Sequence, residues 1–365
     1  MAQMDNNKAV ITVINRFIIL SGFTNDTLQI YENIRNFARI IYIVMELTIQ
    51  ILSLIGGLIL ILLGANWLVD GSSSIAKRFG LSEFIIGLTI VGIGTSTPEM
   101  VVSFMSSFQG KADMAIGNIV GSNIFNTLSI LGLTAIVAPL TITRNNLRKD
   151  IPLNLAVTLL LVVLGLSQSL FGFGDNQLGR FDGVILLAVF ASYMWSSFKS
   201  DNGSASDEES NIRQYSMLMS IALIAAGLAG LIFGGKVFVN SATELARTFG
   251  VSDKFIAITI MAAGTSMPEL ATCVVAALKG RGQLALGNIL GSNISNILLI
   301  LGGAALINPL SFGGLTNVDI LAVLGSAAFI LLCAYTFRKK EIDRMEGMIL
   351  VLLEAAYMWY LIANI

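Results

Sequence analysis

The stretch GIGTSTPEM, residues 92–100, places Pro98 and Glu99 inside an otherwise apolar run. A near copy, AAGTSMPEL, occupies residues 262–270 and puts Glu269 in the same position. An ionisable residue inside a membrane-spanning segment is costly and marks a functional site by default. The composition of the rest of the chain decides whether these two segments cross a membrane.

The composition is that of a membrane protein. The 365 residues are 55% hydrophobic and 12% charged, with a mean hydropathy of +0.79, whereas soluble domains carry about 25% charged residues. Apolar runs long enough to cross a bilayer, which takes about 20 residues, recur along the chain. The sequence therefore predicts a polytopic protein embedded in lipid. The net charge of −1 gives no indication of nucleic-acid binding.

The apolar runs predict an all-α fold of ten transmembrane helices. They cover residues 48–75, 83–108, 113–138, 150–169, 180–198, 214–246, 254–278, 284–308, 317–336 and 345–363. The polar, acidic segment KSDNGSASDEESNIR, residues 199–213, is typical of a flexible linker. Arg16, Arg35 and Arg39 interrupt the apolar residues near the N-terminus, so residues 1–45 are predicted to be an amphipathic or loosely ordered extension.

The two halves of the chain are copies of each other. A shift of 170 residues aligns GNIVGSNIFN (117–126) with GNILGSNISN (287–296), and 80–132 against 250–302 gives 24 identities in 53 pairs. Each copy, 46–198 and 214–365, has five predicted spans, so the second must be inverted relative to the first. Inverted repeats are characteristic of secondary transporters.

Lysine and arginine set the predicted orientation. The loops on the side of residues 199–213 carry most of the Lys and Arg residues, including Arg148, Lys149 and Arg338. Positive loops face the cytoplasm. The linker is therefore predicted to be cytoplasmic and both termini outside, with the plasma (inner) membrane as the location.

Each repeat gathers oxygen atoms around its glutamate. If GTSTPEM were helical, Pro98 would leave the carbonyl of Gly94 without a partner, and Thr95 and Ser96 would lie on the face of Glu99. In the following span the residues at i, i+4 and i+8 form a polar stripe, and Gly117 and Gly121 would allow another helix to approach closely. The stripe residues are Asn118, Ser122 and Asn126, and the second repeat supplies Thr265, Ser266, Asn288, Ser292 and Asn296 in the same places.

Two facing glutamates repel unless a cation neutralises them. Calcium takes about 6–8 oxygen ligands, and two bidentate glutamates with the main-chain oxygens of Thr95 and Thr265 would approach that number. The chain has no histidine, which disfavours zinc and copper and, with no nucleophile–base pair in evidence, an enzyme. The residues predict a symmetric all-oxygen cation site and no cofactor.

The paired GTSxPE and GNxxGSN motifs resemble the alpha repeats of the cation/calcium antiporter superfamily, in its sodium/calcium exchanger branch. The resemblance covers about residues 46–365 and implies a core formed by the second, third, seventh and eighth spans, against which the first and sixth slide. It implies that calcium binds Glu99, Glu269 and the main-chain oxygens of Thr95 and Thr265. It also implies sodium sites that use the same glutamates with further oxygens. Those further residues are Ser96, Ser266, Ser122, Ser292, Gly92 and Ala262, with Asn126 and Asn296 as the central pair.

Three functions are compatible with the sequence. The favoured one is a calcium antiporter driven by sodium. The second is a calcium/proton antiporter on the same scaffold, with the glutamates as proton carriers. The third is a passive channel or a non-transporting scaffold, which tight chelation at mid-membrane disfavours because it slows conduction. Some family members carry Asp where this chain has Asn296, which argues against potassium coupling.

Overall fold

The computed structural model describes residues 25–172, 175–201, 213–252, 256, 259–260, 262–336 and 341–364. Most of the predicted linker 199–213 and the first part of the predicted extension lie outside this range. The helices are α1 (Asn25–Phe79), α2 (Glu83–Thr95), α3 (Thr97–Phe108), α4 (Ala112–Val137), α5 (Ile151–Gly165), α6 (Ser167–Phe171), α7 (Arg180–Ser200), α8 (Met217–Thr248), α9 (Ala262–Thr265), α10 (Met267–Leu278), α11 (Gly282–Ile307), α12 (Asn317–Thr336) and α13 (Arg344–Ala363). The strands are β1 (Leu140–Thr141), β2 (Gln177–Leu178), β3 (Leu310–Ser311) and β4 (Glu341–Ile342).

The chain divides into two compact units, Met1–Leu52 and Ser53–Ile365. In the first unit the described residues form the N-terminal part of α1, and no proline interrupts them. Within the predicted extension 1–45, the residues from Asn25 onward are helical. The second unit holds the rest of α1 and every other described element. The predicted domain boundaries stay predictions.

The described residues include seven helices long and apolar enough to cross a membrane, or eight if the bent pair α2–α3 counts as one span. Helix α5 has 15 residues and follows a π-helical turn, Asn146–Asp150, and α10 has 12 residues. The prediction of a mainly helical, polytopic protein is confirmed, and the count of ten spans stays a prediction. The β-structure consists of two antiparallel pairs of two-residue strands, β1 with β4 and β2 with β3.

Burial separates an inner pair of helices from an outer group. Of the most apolar window of each helix, 78% is buried in α4 and 83% in α11, against 22% in both α7 and α13. The outer helices expose large apolar side chains such as Phe181, Trp195 and Trp359. Apolar helices with this much exposure need an apolar solvent, which a bilayer provides. The motifs GNIVGSN and GNILGSN therefore lie in the interior.

Both GTSxPE motifs, which we call the PE motifs, lie at a break between two helices. Helix α2 ends at Thr95, α3 begins at Thr97, and the pair is bent by 49°. Pro98 occupies the second position of α3, where a helix does not need its N–H. The second half repeats the pattern, with α9 ending at Thr265 and α10 beginning at Met267. The helix assumed through GTSTPEM is therefore interrupted at Ser96, close to the proline that is expected to distort it. The Gly94 carbonyl accepts a hydrogen bond from the Thr97 hydroxyl at 2.7 Å.

Close packing fixes α11 against α2. A Cβ atom added at Gly291 would lie 2.5 Å from the main-chain oxygen of Leu88, and one at Gly287 would meet the oxygen of Phe84. Real Cβ atoms essentially never approach within 3.0 Å, so only glycine allows this contact. For the corresponding Gly117 and Gly121 of α4, no described residue lies within 4 Å of an added Cβ. The expected close helix approach is therefore present in the second half of the chain; in the first half, the counterparts of Phe84 and Leu88 lie outside the described residues.

Candidate functional site

Two buried carboxylates form the centre of the candidate site. Glu99 is 1% exposed and Glu269 is 2% exposed. Each lies in the first turn of its helix, α3 or α10. The positive end of a helix dipole stabilises a negative charge there, and the break before each helix places the glutamate at that end. The sequence predicted both residues, and the structure buries both at equivalent positions.

Serine hydroxyls join the two halves reciprocally. Ser96 Oγ donates to Glu269 Oε1 at 3.1 Å, and Ser266 Oγ donates to Glu99 Oε1 at 3.2 Å. The sequence placed each serine on the face of the glutamate in its own repeat. The structure instead pairs each serine with the glutamate of the other repeat, because both serines lie at the helix breaks. The two PE motifs therefore form one site.

The second carboxylate oxygen of each glutamate is available as a ligand for a cation. Oε2 of Glu99 and Oε2 of Glu269 are buried without a hydrogen-bond partner. A buried charge without a partner is costly. Within the described part of the chain, no group of three or more His, Cys, Asp or Glu side chains could hold a metal ion. Further ligands must therefore be hydroxyl, amide or main-chain oxygens, a set that suits hard cations.

The threonine before the first break, Thr95, has contacts beyond the pair of glutamates. Thr95 Oγ1 lies 3.0 Å from the main-chain oxygen of Val91 and 3.2 Å from Asn288 Oδ1. The role of the Thr95 main-chain oxygen as a cation ligand stays a prediction. Thr265 ends α9 at the equivalent position, and Ala262 begins α9.

Ser122 and Ser292 occupy different environments although their motifs match. Ser292 Oγ donates to the main-chain oxygen of Gly92 at 3.2 Å, which joins α11 to α2. Ser122 lies on the wall of a cavity of about 260 Å³, beside Gly117, Asn118 and Gly121. The structure thus brings Ser292 and Gly92 together and leaves Ser122 on a cavity wall.

The central asparagines each begin a π-helical turn, Asn126–Ile130 in α4 and Asn296–Leu301 in α11. Such turns occur frequently at functional sites. Both asparagines are buried, and Oδ1 of each has no hydrogen-bond partner. Asn296 Nδ2 donates to Asn123 Oδ1 at 2.9 Å. Each central asparagine therefore presents an unpaired amide oxygen in the interior.

Asn123 and Asn293 lie off the polar stripe and connect the two halves. Asn123 Nδ2 donates to the main-chain oxygen of Asn293 at 3.0 Å, and Asn293 Nδ2 donates to Thr127 Oγ1 at 2.9 Å. Because Asn123 also accepts from Asn296, it orients a predicted site residue. Sequence reasoning did not detect this role, since a helical stripe does not show contacts between different helices.

Asn118 and Asn288 support the glutamate-bearing helices. Asn118 Nδ2 donates to the main-chain oxygen of Glu99 at 3.3 Å and to Ser103 Oγ at 3.1 Å. Asn288 Nδ2 lies 3.1 Å from Cys273 Sγ. Ser103 and Cys273 are separated by the same 170 residues as the motifs. That spacing was the available signal for two residues that the sequence analysis missed.

A larger cavity, of about 480 Å³, reaches both helix breaks from α8. Its wall includes Pro98, Pro268 and Thr265 together with Lys236 and Asn240 of α8. Residues of α8 and residues of both helix breaks therefore line the same cavity.

Charged residues tie α1 and α2 to the loop between α10 and α11. Lys279 Nζ lies 2.6 Å from Asp70 Oδ1, and Arg281 lies 3.1 Å from Glu83 Oε1. Ser73 Oγ also donates to Glu83 Oε1, at 2.9 Å. The residues that correspond by sequence to Lys279 and Asp70 are the uncharged Gln109 and Asn240. The Lys279–Asp70 pair therefore has no charged counterpart in the other half of the duplication.

The chain matches a known family over most of its length. The family model described as "Sodium/calcium exchanger protein" matches residues 49–199 and 219–363. The sodium/calcium exchanger MaX1 of Methanosarcina acetivorans is 32% identical over 345 residues, which covers 86% of this chain and 98% of MaX1. The inner membrane protein YrbG of Escherichia coli is 38% identical over 293 residues, covering 77% of this chain and 87% of YrbG.

A solved structure has the same fold. The sodium-calcium exchanger NCX_Mj, soaked with zero Na⁺ and Ca²⁺, matches with a TM-score of 0.74 at 31% identity, over 86% of this chain and 99% of NCX_Mj. The apolar helices make the protein a multi-pass integral membrane protein, and its relatives are exchangers and not enzymes. The chain therefore belongs to the sodium/calcium exchanger family and is a cation/calcium exchanger.

Proposed function

We propose that the chain is a secondary antiporter that exchanges calcium for sodium by alternating access at one shared site in the plasma (inner) membrane. The observation that carries the proposal is the pair Glu99 and Glu269, buried together and joined reciprocally by Ser96 and Ser266. Each glutamate keeps one buried oxygen without a hydrogen-bond partner. The pair therefore offers two negative charges to an ion that leaves its water behind.

Charge explains why the two ions would exclude each other. One calcium ion neutralises two carboxylates, and two sodium ions do the same. The central pair, Asn126 and Asn296, adds oxygen atoms and no charge. Calcium would bind the glutamates with the main-chain oxygens of Thr95 and Thr265. Sodium would use the same glutamates with the remaining predicted ligands: Ser96, Ser266, Ser122, Ser292, Gly92, Ala262, Asn126 and Asn296.

The proposed architecture has ten spans in two inverted five-helix repeats, 46–198 and 214–365, joined by the cytoplasmic linker 199–213. The spans around the two breaks and α4 and α11 form the core, and α1 and α8 move against it. The recurrence of the same breaks and π-helical turns 170 residues apart supports this arrangement.

Proteoliposomes loaded with sodium test the proposal by uptake of radioactive calcium. We expect an outward sodium gradient to drive uptake, and Glu99→Gln or Glu269→Gln to abolish it. The matched control is Glu244→Gln, which removes an exposed carboxylate paired with Arg247 and should leave uptake unchanged. Normal uptake by both site variants would refute the site, and uptake driven by a pH gradient but not by sodium would favour the calcium/proton antiporter.

A further inference from the structure

Glu354 is a carboxylate that the proposed exchange site does not use. It lies in the middle of α13 and is 7% exposed, and its Oε2 atom is buried without a hydrogen-bond partner. A carboxylate within a membrane span is costly and rarely retained without a role. Glu354 therefore needs a cation or a proton to neutralise it.

Glu354 lines the 260 Å³ cavity that opens beside α4. The wall of the cavity also includes Asn118 and Ser122 of α4, together with Ser129 and Thr259. All four side chains carry a neutral oxygen atom that can contact a cation. Gly117 and Gly121 line the same cavity, whereas Gly287 and Gly291 are covered by α2.

The duplication did not produce this carboxylate. Helices α7 and α13 begin with the related sequences RFDGVIL (180–186) and RMEGMIL (344–350). This alignment places Phe190 at the position of Glu354. Glu354 is therefore specific to the second repeat, in contrast to Glu99 and Glu269, which occur as a repeated pair. The aligned position in the first repeat carries no charge.

Nearby titratable groups are engaged elsewhere. Tyr357, one turn after Glu354 on the same cavity wall, donates its hydroxyl to Asp319 Oδ1 of α12 at 2.6 Å. Among the described residues, Glu354 and Tyr357 are the titratable side chains that line this cavity. No described lysine or arginine lines it to neutralise Glu354.

We propose that Glu354 and the oxygen-bearing wall of this cavity form a second cation site that binds one sodium ion. A single carboxylate is neutralised by one monovalent ion, whereas calcium would leave an excess positive charge in a low-dielectric cavity. Because the site shares Ser122 and Asn118 with the helix that supports Glu99, an ion held there lies beside the proposed exchange site. The inference adds a site to the proposed function and does not depend on calcium transport.

The test removes the central carboxylates and measures sodium binding at the remaining site. The purified full-length double variant Glu99→Gln/Glu269→Gln is melted in choline chloride and in sodium chloride at equal ionic strength. A ligand that binds only the folded state raises Tm. We expect a sodium-specific rise in Tm in the double variant, its loss on adding Glu354→Gln, and its retention on adding Glu346→Gln. Glu346 is the matched control because it is buried on the same helix but accepts from the N–H of Asp343.

A double variant without a sodium-specific rise in Tm, or one whose rise survives Glu354→Gln, overturns the proposal. If the multiple variants do not fold, Glu354→Gln alone is assayed for calcium uptake. We expect the sodium concentration that half-inhibits uptake to rise about tenfold, the usual effect of losing a charged partner, with KM for calcium unchanged. An unchanged sodium concentration, or an equal rise in KM for calcium, overturns the second site. If no calcium moves in the native chain, the proposed function fails while the melting assay still tests this site.

Discussion

A Gly→Ala substitution, which adds one methyl group, tests whether α4 and α11 alternate between a closely packed and an open arrangement. Gly291 lies against α2, and an added Cβ would meet the main-chain oxygen of Leu88 at 2.5 Å. At Gly121, the same place in the first repeat, an added Cβ would meet no atom of the described residues within 4 Å. In an inverted-repeat transporter the two repeats exchange conformations during the cycle. Gly121 should then become packed when Gly291 becomes free.

The free-energy cost of Gly291→Ala follows from the overlap between the added Cβ and the main-chain oxygen of Leu88. An atom forced to 2.5 Å from a backbone oxygen must move a helix, and overpacking of this kind costs about 1–3 kcal/mol. Because about 1.4 kcal/mol is a tenfold change in an equilibrium constant, Gly291→Ala should disfavour the described state by about 5- to 150-fold. Gly121→Ala, whose added Cβ meets none of the described residues, should cost less free energy than Gly291→Ala in this state and a similar amount in the opposite one.

The assay compares transport and stability for the two variants. We expect both to slow sodium-driven calcium uptake in proteoliposomes, since each hinders one of the two states. The sodium- and calcium-free protein, melted in detergent, should lose stability with Gly291→Ala and keep it with Gly121→Ala. Native uptake by Gly121→Ala would show that α4 is never packed at this glycine, and a native Tm for Gly291→Ala would refute the contact itself.

Three further predictions concern a buried ion pair, the central asparagine and the orientation in the membrane. Arg281→Gln should cost about 3–5 kcal/mol of unfolding free energy because it breaks a buried ion pair with Glu83. Lys279→Gln should cost less than about 1 kcal/mol because its pair with Asp70 is partly exposed. Denaturant unfolding in detergent measures both free energies, and equal losses would contradict this ranking. Asn296→Asp adds a titratable group at the centre, so calcium uptake should become more pH-dependent, and an unchanged pH profile would place Asn296 outside the ion path. A cysteine at Thr316 should react with an impermeant thiol reagent in intact cells and one at Ser204 should not, and the reverse pattern would invert the predicted orientation.

The sequence was sufficient for features that depend on local spacing. The 170-residue offset located both copies of the motif, and Pro98 with Glu99 marked a disturbed, charged turn in an apolar segment. The structure places the corresponding helix breaks at equivalent positions in the two halves. Local spacing did not show the break itself, because Pro98 is compatible with either a kinked helix or the start of a new one.

The sequence was insufficient for contacts between distant segments. A helical face shows that Ser96 lies near Glu99 along the chain, but not that its hydroxyl reaches Glu269. The ion pair between Asp70 and Lys279 joins residues 209 positions apart. The periodicity of the apolar residues does not predict such a contact. Glu354 was overlooked for a different reason: it has no counterpart in the first repeat, and the search for repeated polar residues therefore passed over it.

The two GNxxGSN motifs are nearly identical but have different surroundings. The asymmetry around these two motifs therefore belongs to the conformation and not to the motif sequences. GNIVGSN and GNILGSN differ at one apolar position, yet Ser292 donates to the oxygen of Gly92 while Ser122 lines a cavity. Under the 170-residue correspondence, the partner of Ser122 is the main-chain oxygen of Ala262. The opposite state should therefore pair Ser122 with Ala262 and release Ser292 to a cavity. Each serine would then be free to contact an ion only while its own side of the protein is open, which is what alternating access to one pair of glutamates requires.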